Sequence, residues 1–242
     1  MTFKSYIKHF INFLIFIVSI TVIFTGIETF LRIKNHYIIN YDIEMWKYSK
    51  KLKEAVTDNK INHIHKKNKL AILQNVEIKI NSLGMRGDDD DIQKWQSSDL
   101  KILFMGSSIM LGWGVKEEFV LNNIVEENAI KNNKSWATLN SGVGNYNTER
   151  YVNNYFEYNQ NLNPDIIVVQ YFINDAEILK SNHGNLITRN FHLGVFLWKY
   201  ISLFKDDLNR KNIDDYYKKI YMQSNYDILE LISLLFFLNK FL

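Results

Sequence analysis

Apolar and polar positions alternate on three different scales along the chain. The first scale is set by Phe10 to Phe30, a mostly apolar stretch whose one ionisable residue is Glu28. As a helix rising roughly 1.5 Å per residue it reaches about 30 Å, the hydrocarbon thickness of a bilayer. No small-residue cleavage site follows it, so an uncleaved signal anchor is expected rather than a removed leader, with a buried core helix as the competing reading. The second scale is a charged connector, Asn35 to Lys79, with a helix expected over Tyr41 to Val56. The third consists of short apolar runs that break abruptly into polar residues.

Three such runs matter. Leu103-Phe104-Met105 stops at Gly106-Ser107-Ser108; Trp136-Ala137-Thr138-Leu139 runs into Asn140 to Thr148; and Asp165 to Phe172, opening after Pro164, stops at Ile173-Asn174-Asp175. Runs of this length and β-branched content fit strands buried on both faces of a parallel sheet. After them come a polar stretch from Glu177 to Gln223 and an apolar run, Asp227 to Leu238, expected as a helix leading into a fourth strand. The organisation expected is a membrane anchor over 1–34, a connector and pre-domain segment over 35–98, and a partial α/β domain over 99–242.

The strand ends carry the candidate chemistry. A serine just past the carboxyl end of a parallel strand lies where open α/β sheets bind ligands, the place for a nucleophile. The Asn140–Thr148 turn, rich in glycine and asparagine, is able to take positive φ and aim backbone N–H groups. Asn174 adds a side-chain amide.

Together these blocks resemble the SGNH/GDSL hydrolase superfamily, and more closely its membrane-anchored bacterial branch. Gly106-Ser107-Ser108 resembles the Gly-Asp-Ser block, Asn140 to Thr148 the second block, and Asn174-Asp175 the Asn-Asp pair of the third. Asn81 to Gly87 is similar to the segment that closes over the domain edge in that branch, the plain alternative being an ordinary turn. The likeness extends from about Asn81 to Glu177. It departs at Ser107, where the family has aspartate, at Asn145, where glycine is usual, and at Phe172, where glycine is frequent. The resemblance implies an SGNH-type, flavodoxin-like three-layer α/β/α fold with a parallel sheet. It also implies a serine esterase or acyl-ester hydrolase, or an acyl transferase, acting on an acylated small molecule or an extracytoplasmic glycan. Ser108 would be the nucleophile, and the Ser108 backbone, Gly144, Asn145 and Asn174 would supply oxyanion donors. No cofactor and no metal are implied.

One block is absent. The family's general base sits in an Asp-x-x-His motif, and the residues three before the six histidines here are Tyr6, Ile33, Lys60, Asn62, Lys180 and Arg189. A serine hydroxyl is a weak nucleophile until a base takes its proton. The expectation is therefore an incomplete domain with little turnover. The alternatives are a catalytically dead glycan- or ester-binding module on a membrane anchor, and a fragment that does not fold.

Other chemistry is weaker. His63-Ile64-His65-Lys66-Lys67 is read as a solvated basic loop rather than a metal motif, and Asp88 to Asp91 as a solvated turn. Trp113 is read as packing rather than ligand stacking. The glycine spacings match neither dinucleotide nor P-loop fingerprints. Zero cysteines exclude disulfides, thiolate–zinc sites and a cysteine nucleophile, and a net charge of +3 gives nucleic-acid binding no support. Lys4 and Lys8 precede the anchor, whereas Arg32, Lys34, Lys47 and Lys50 follow it, so the charge count alone favours a cytoplasmic domain. The resemblance favours the opposite, a single-pass protein of the cell membrane with its domain outside, and long domains translocate largely regardless of charge.

Overall fold

The computed structural model describes residues 3–172, 175 and 185–208. The expected helix over Asp227 to Leu238 lies outside these residues, as do Asn174 and His183. The chain forms two compact units, one built from the chain up to Trp46 together with the segment ending at Asp207, the other beginning at Lys47.

In the first unit, α1 (Phe3–Tyr37) is a single helix of 35 residues. Tyr6–Tyr37 within it is long and apolar enough to cross a membrane. Helix α2 (Tyr41–Leu52) begins in this unit and continues into the second. Two later helices, α7 (Leu186–Asn190) and α8 (His192–Leu208), complete the first unit.

The second unit starts well before the boundary expected at residue 99. The helix over Tyr41 to Val56 stops at Leu52 because Lys53, Glu54 and Ala55 form strand β1, paired antiparallel with β2 (His63–His65). The turn between them closes through Asn62, left-handed at φ 68°, a conformation asparagine tolerates. His63-Ile64-His65 is thus a strand, not a solvated loop. With a period of two, both imidazoles fall on one face, and both are buried. A hairpin of β3 (Lys69–Leu73) and β4 (Val76–Ile80) follows.

The aspartate run is likewise not a free turn, since Asp89 to Asp91 form the first turn of α3 (Asp89–Ser97). Asp91 accepts the Asp88 N–H at 2.9 Å and Asp89 the Ser82 N–H at 2.8 Å. Carboxylates at this end satisfy donors that a helix start leaves unpaired.

The sheet is three-stranded and parallel: β5 (Leu100–Gly106) lies between β6 (Trp136–Asn140) and β7 (Ile166–Gln170). All three expected strands are present. Alternate residues of β5 face opposite cores. Leu103 and Met105 pack with Trp95, Tyr151 and Tyr155, whereas Ile102 and Phe104 pack with Met110 and Val125. Helices α3 and α6 (Thr148–Asn154) therefore cover one face and α5 (Leu121–Lys131) the other, which is why β5 reads as continuous apolar sequence. The architecture is α/β with one N-terminal apolar helix.

Candidate active site

Gly106 ends β5 with φ +159°, and a Cβ there would come within 2.9 Å of both the Gln170 carbonyl and Met110 Cβ. Only glycine fits, and the chain turns at once into α4 (Ser108–Leu111), a helix of four residues. Ser107 is buried, while Ser108, at the head of α4, is half-buried. Helix α4 ends at Gly112, φ +72°. The Gly112 N–H bonds the Ile109 carbonyl at 2.9 Å and the Trp113 N–H the Ser108 carbonyl at 3.1 Å, a Schellman closure.

Arg86, inside the Asn81–Gly87 segment, holds this turn in place. Its side chain is fully buried. It donates to the carbonyls of Leu111 at 2.6 Å, Gly112 at 2.7 Å and Val115 at 2.7 Å, and to the Glu117 carboxylate at 2.8 Å. Its own N–H bonds the Asn140 carbonyl at 3.0 Å. One residue thus joins the exit from the serine turn to the end of β6. Five donors in a fixed fork explain why arginine occupies the position. The sequence signal was an arginine flanked by turn residues, its partners lying 25 to 31 positions away.

The turn after β6 is hydrogen-bonded throughout. Buried Asn140 donates to the Met110 carbonyl at 2.8 Å and to Asn122 Oδ1 at 3.1 Å, and accepts the Gly142 N–H at 2.9 Å. Ser141 N–H and hydroxyl both bond the Phe104 carbonyl, and the Val143 N–H bonds the Gly106 carbonyl. The Gly144 N–H, expected as an oxyanion donor, is instead given to the Tyr48 hydroxyl at 2.8 Å. Asn145 is exposed and left-handed at φ 66°, as its glycine-like position anticipates. Its carbonyl accepts from Arg150 at 2.8 Å.

Behind Gly144 is a buried chain that sequence reasoning missed. The Gly84 carbonyl can only accept, so His65 Nδ1, 3.1 Å away, carries the proton. His65 Nε2 then accepts the Tyr48 O–H at 2.7 Å, and Tyr48 accepts from Gly144. His63 faces an acceptor on each side, the Gly144 carbonyl 3.1 Å from Nε2 and Asn62 Oδ1 3.1 Å from Nδ1, and its neutral ring has one proton to give to them. Burial, reinforced by the Lys53 charge, pushes His63 down to about 2 and His65 down to about 3. Lys53 Nζ donates to the Gly144 carbonyl at 2.6 Å and lies 4.4 Å above the Tyr48 ring. Burial and then Arg150 lower its ammonium to about 7.

The histidines of the α/β unit among the described residues are His63 and His65, and both are buried with each ring nitrogen against a protein group. His192 belongs to the other unit, where its Nδ1 faces the Asn35 amide at 3.2 Å.

The third strand end differs. Asp175 is fully buried, and its Oδ2 accepts the Phe172 N–H at 2.9 Å. Burial raises its carboxyl above the usual range, opposed by Phe172 and by the Ser107 hydroxyl. Asp175 Oδ1, Gln170 Oε1 and Trp113 Nε1 are buried without a hydrogen-bond partner among the described residues. Trp113 also packs edge-on against Tyr48 at 5.2 Å, as the packing expectation has it. The strand ends thus bring Ser107, Ser108 and Asp175 to the carboxyl end of the sheet, with Gly144 and Asn145 in the adjoining turn. No family model matches the chain, and no curated protein and no solved structure matches it either.

Proposed function

We propose that the second unit is an SGNH-type serine site directed at acyl esters, held outside the cell membrane by α1, with acylated glycans as the substrate class. The observation that carries this reading is the contrast between two adjacent serines at the end of the central parallel strand. Ser107 is buried beside Asp175, whereas Ser108 is half-buried at the head of α4. Ser108 Oγ would attack the acyl carbonyl. The developing oxyanion would be met by the Ser108 N–H, which a helix start leaves without an intrahelical acceptor. With the Gly144 N–H given to Tyr48, Asn145 is the donor left to the second block, and Asn174 would supply the side-chain donor.

The burial of His63 and His65, whose ring nitrogens all face protein groups, favours a second reading, in which the serine end of the sheet binds an ester without turning it over. General-base assistance contributes roughly 100- to 10,000-fold. The purified full chain in detergent is accordingly expected to hydrolyse p-nitrophenyl acetate at a rate close to that of Ser108→Ala. A serine-directed fluorophosphonate locates the reactive hydroxyl. Slow labelling that disappears in Ser108→Ala and persists in Ser107→Ala supports the assignment, while the reverse moves the nucleophile to Ser107.

A further inference from the structure

Helix α8 is inside out for a helix in water. Leu197, Trp198, Tyr200, Ile201 and Phe204 are each between 47% and 67% exposed. At 3.6 residues per turn they form one continuous arc of about 160°, which Leu203, 52% exposed, widens to about 220°. The opposite face holds His192 and Val195, both buried, and Lys199, ion-paired with Asp42. The polar contacts point inward and the large apolar side chains outward, the reverse of the usual pattern.

The same unit fixes where this face begins. Glu28, the one acid of the apolar stretch, accepts the N–H groups of His192 at 3.0 Å and Leu193 at 2.9 Å, and pairs with Arg32 at 2.6 Å. Arg32 also donates to the Asn190 carbonyl at 3.0 Å. Trp46 stacks edge-on against His192 at 5.1 Å and donates to the Thr188 carbonyl at 2.8 Å. The start of α8 is therefore bolted to α1 at Glu28 and Arg32, across the end of the stretch that an approximately 30 Å hydrocarbon layer would hold.

We infer that α8 lies in the interface of the same bilayer that α1 crosses, its Leu197–Phe204 arc against the acyl-chain boundary, as a second and peripheral membrane contact. The occupant is lipid because the face is continuous with the end of the apolar helix. Its tryptophan and tyrosine are also the residues that settle at headgroup level. The charge of Glu28 is answered by Arg32 and two N–H groups, so its place in an apolar helix serves to seat α8. This inference rests on the reading of α1 as a membrane anchor.

The chain has no cysteine, so single nitroxide labels are introduced directly into the full-length protein. Trp198→Cys and Phe204→Cys probe α8, Phe16→Cys probes α1, and Glu127→Cys on exposed α5 is the aqueous reference. The protein is placed in phosphatidylethanolamine–phosphatidylglycerol vesicles, and collisions with oxygen are compared with those of a water-soluble nickel chelate. The oxygen-to-nickel ratio at 198 and 204 is expected to exceed that at 127 by about threefold or more and to stay below that at 16, as interfacial depth requires. Ratios at 198 and 204 equal to that at 127, with 16 in lipid, would overturn the inference and leave the anchor standing. Shielding of 198 and 204 from both reagents would assign the face to a protein partner and also overturn it. A water-like ratio at 16 would remove the anchor, and the inference with it.

Discussion

The two strand ends flanking Gly106 differ in how completely their polar groups are used. After β6, Asn140, Ser141, Val143 and Gly144 make hydrogen bonds to neighbouring elements, and the Gly142 N–H bonds Asn140 within the turn. At the end of β7 and after it, Gln170 Oε1 and Asp175 Oδ1 are buried with no partner among the described residues. Native proteins leave few such groups unpaired, because each carries its desolvation cost uncompensated. The first end is framework. The second holds buried acceptors beside the serines whose partners are not among the described residues.

The comparison breaks most visibly at Arg86. Arg86→Met is expected to lower stability by about 4 kcal/mol, since it strands three buried carbonyls as well as the Glu117 contact. Urea unfolding of the full chain in detergent measures this. A loss below about 1 kcal/mol would mean that the serine turn holds its own shape.

Tyr48→Phe is the next largest. It leaves His65 Nε2 and the Gly144 N–H without partners, at a cost of about 2 kcal/mol. It also frees the Gly144 N–H, so an increase in Ser108 labelling would return that group to the oxyanion set.

The acid limb of stability sharpens the comparison further. His63 and His65 are held at about 2 and about 3 in the folded chain, against 6.5 as the ordinary value. On acidification the unfolded chain takes up protons first. Their contribution is therefore complete above about pH 6.5 and falls by up to about 1.4 kcal/mol per histidine per pH unit below it. Lys53, at about 7 against 10.5, acts in the same direction between those values. Urea midpoints at pH 7.5, 6 and 5 should fall steadily, and His65→Gln should flatten the slope. A midpoint independent of pH would mean that the imidazoles are solvated.

Asp175→Asn should have the smallest effect on stability, less than about 1 kcal/mol, because it keeps an acceptor for the Phe172 N–H and removes a buried charge. Its effect on Ser108 labelling should be larger. A destabilisation comparable to that of Arg86→Met would place Asp175 in the framework instead.

What was legible in the sequence follows from range. The strands of the sheet could be read because each is a local run buried on both faces, and Gly106-Ser107-Ser108 because a strand-to-helix turn needs its glycine in place. The roles of Arg86, Tyr48, His63 and His65 could not be read, since each acts through backbone groups remote in sequence. His-x-His looked like a solvated loop because its flanking lysines set the local polarity. Only the antiparallel pairing with Lys53-Glu54-Ala55 turns it inward. Gly144 looked like a free donor for the same reason, its acceptor being a tyrosine 96 positions earlier.

The Arg86 junction has a kinetic consequence. The segment leaving the Ser108 helix has its carbonyls answered by Arg86, whose own backbone bridges Asn140 at the end of β6. Contacts of such separation are paid for in loop closure before they return anything. The serine turn is then among the last parts of the unit to settle, and replacing Arg86 should speed unfolding far more than it slows folding.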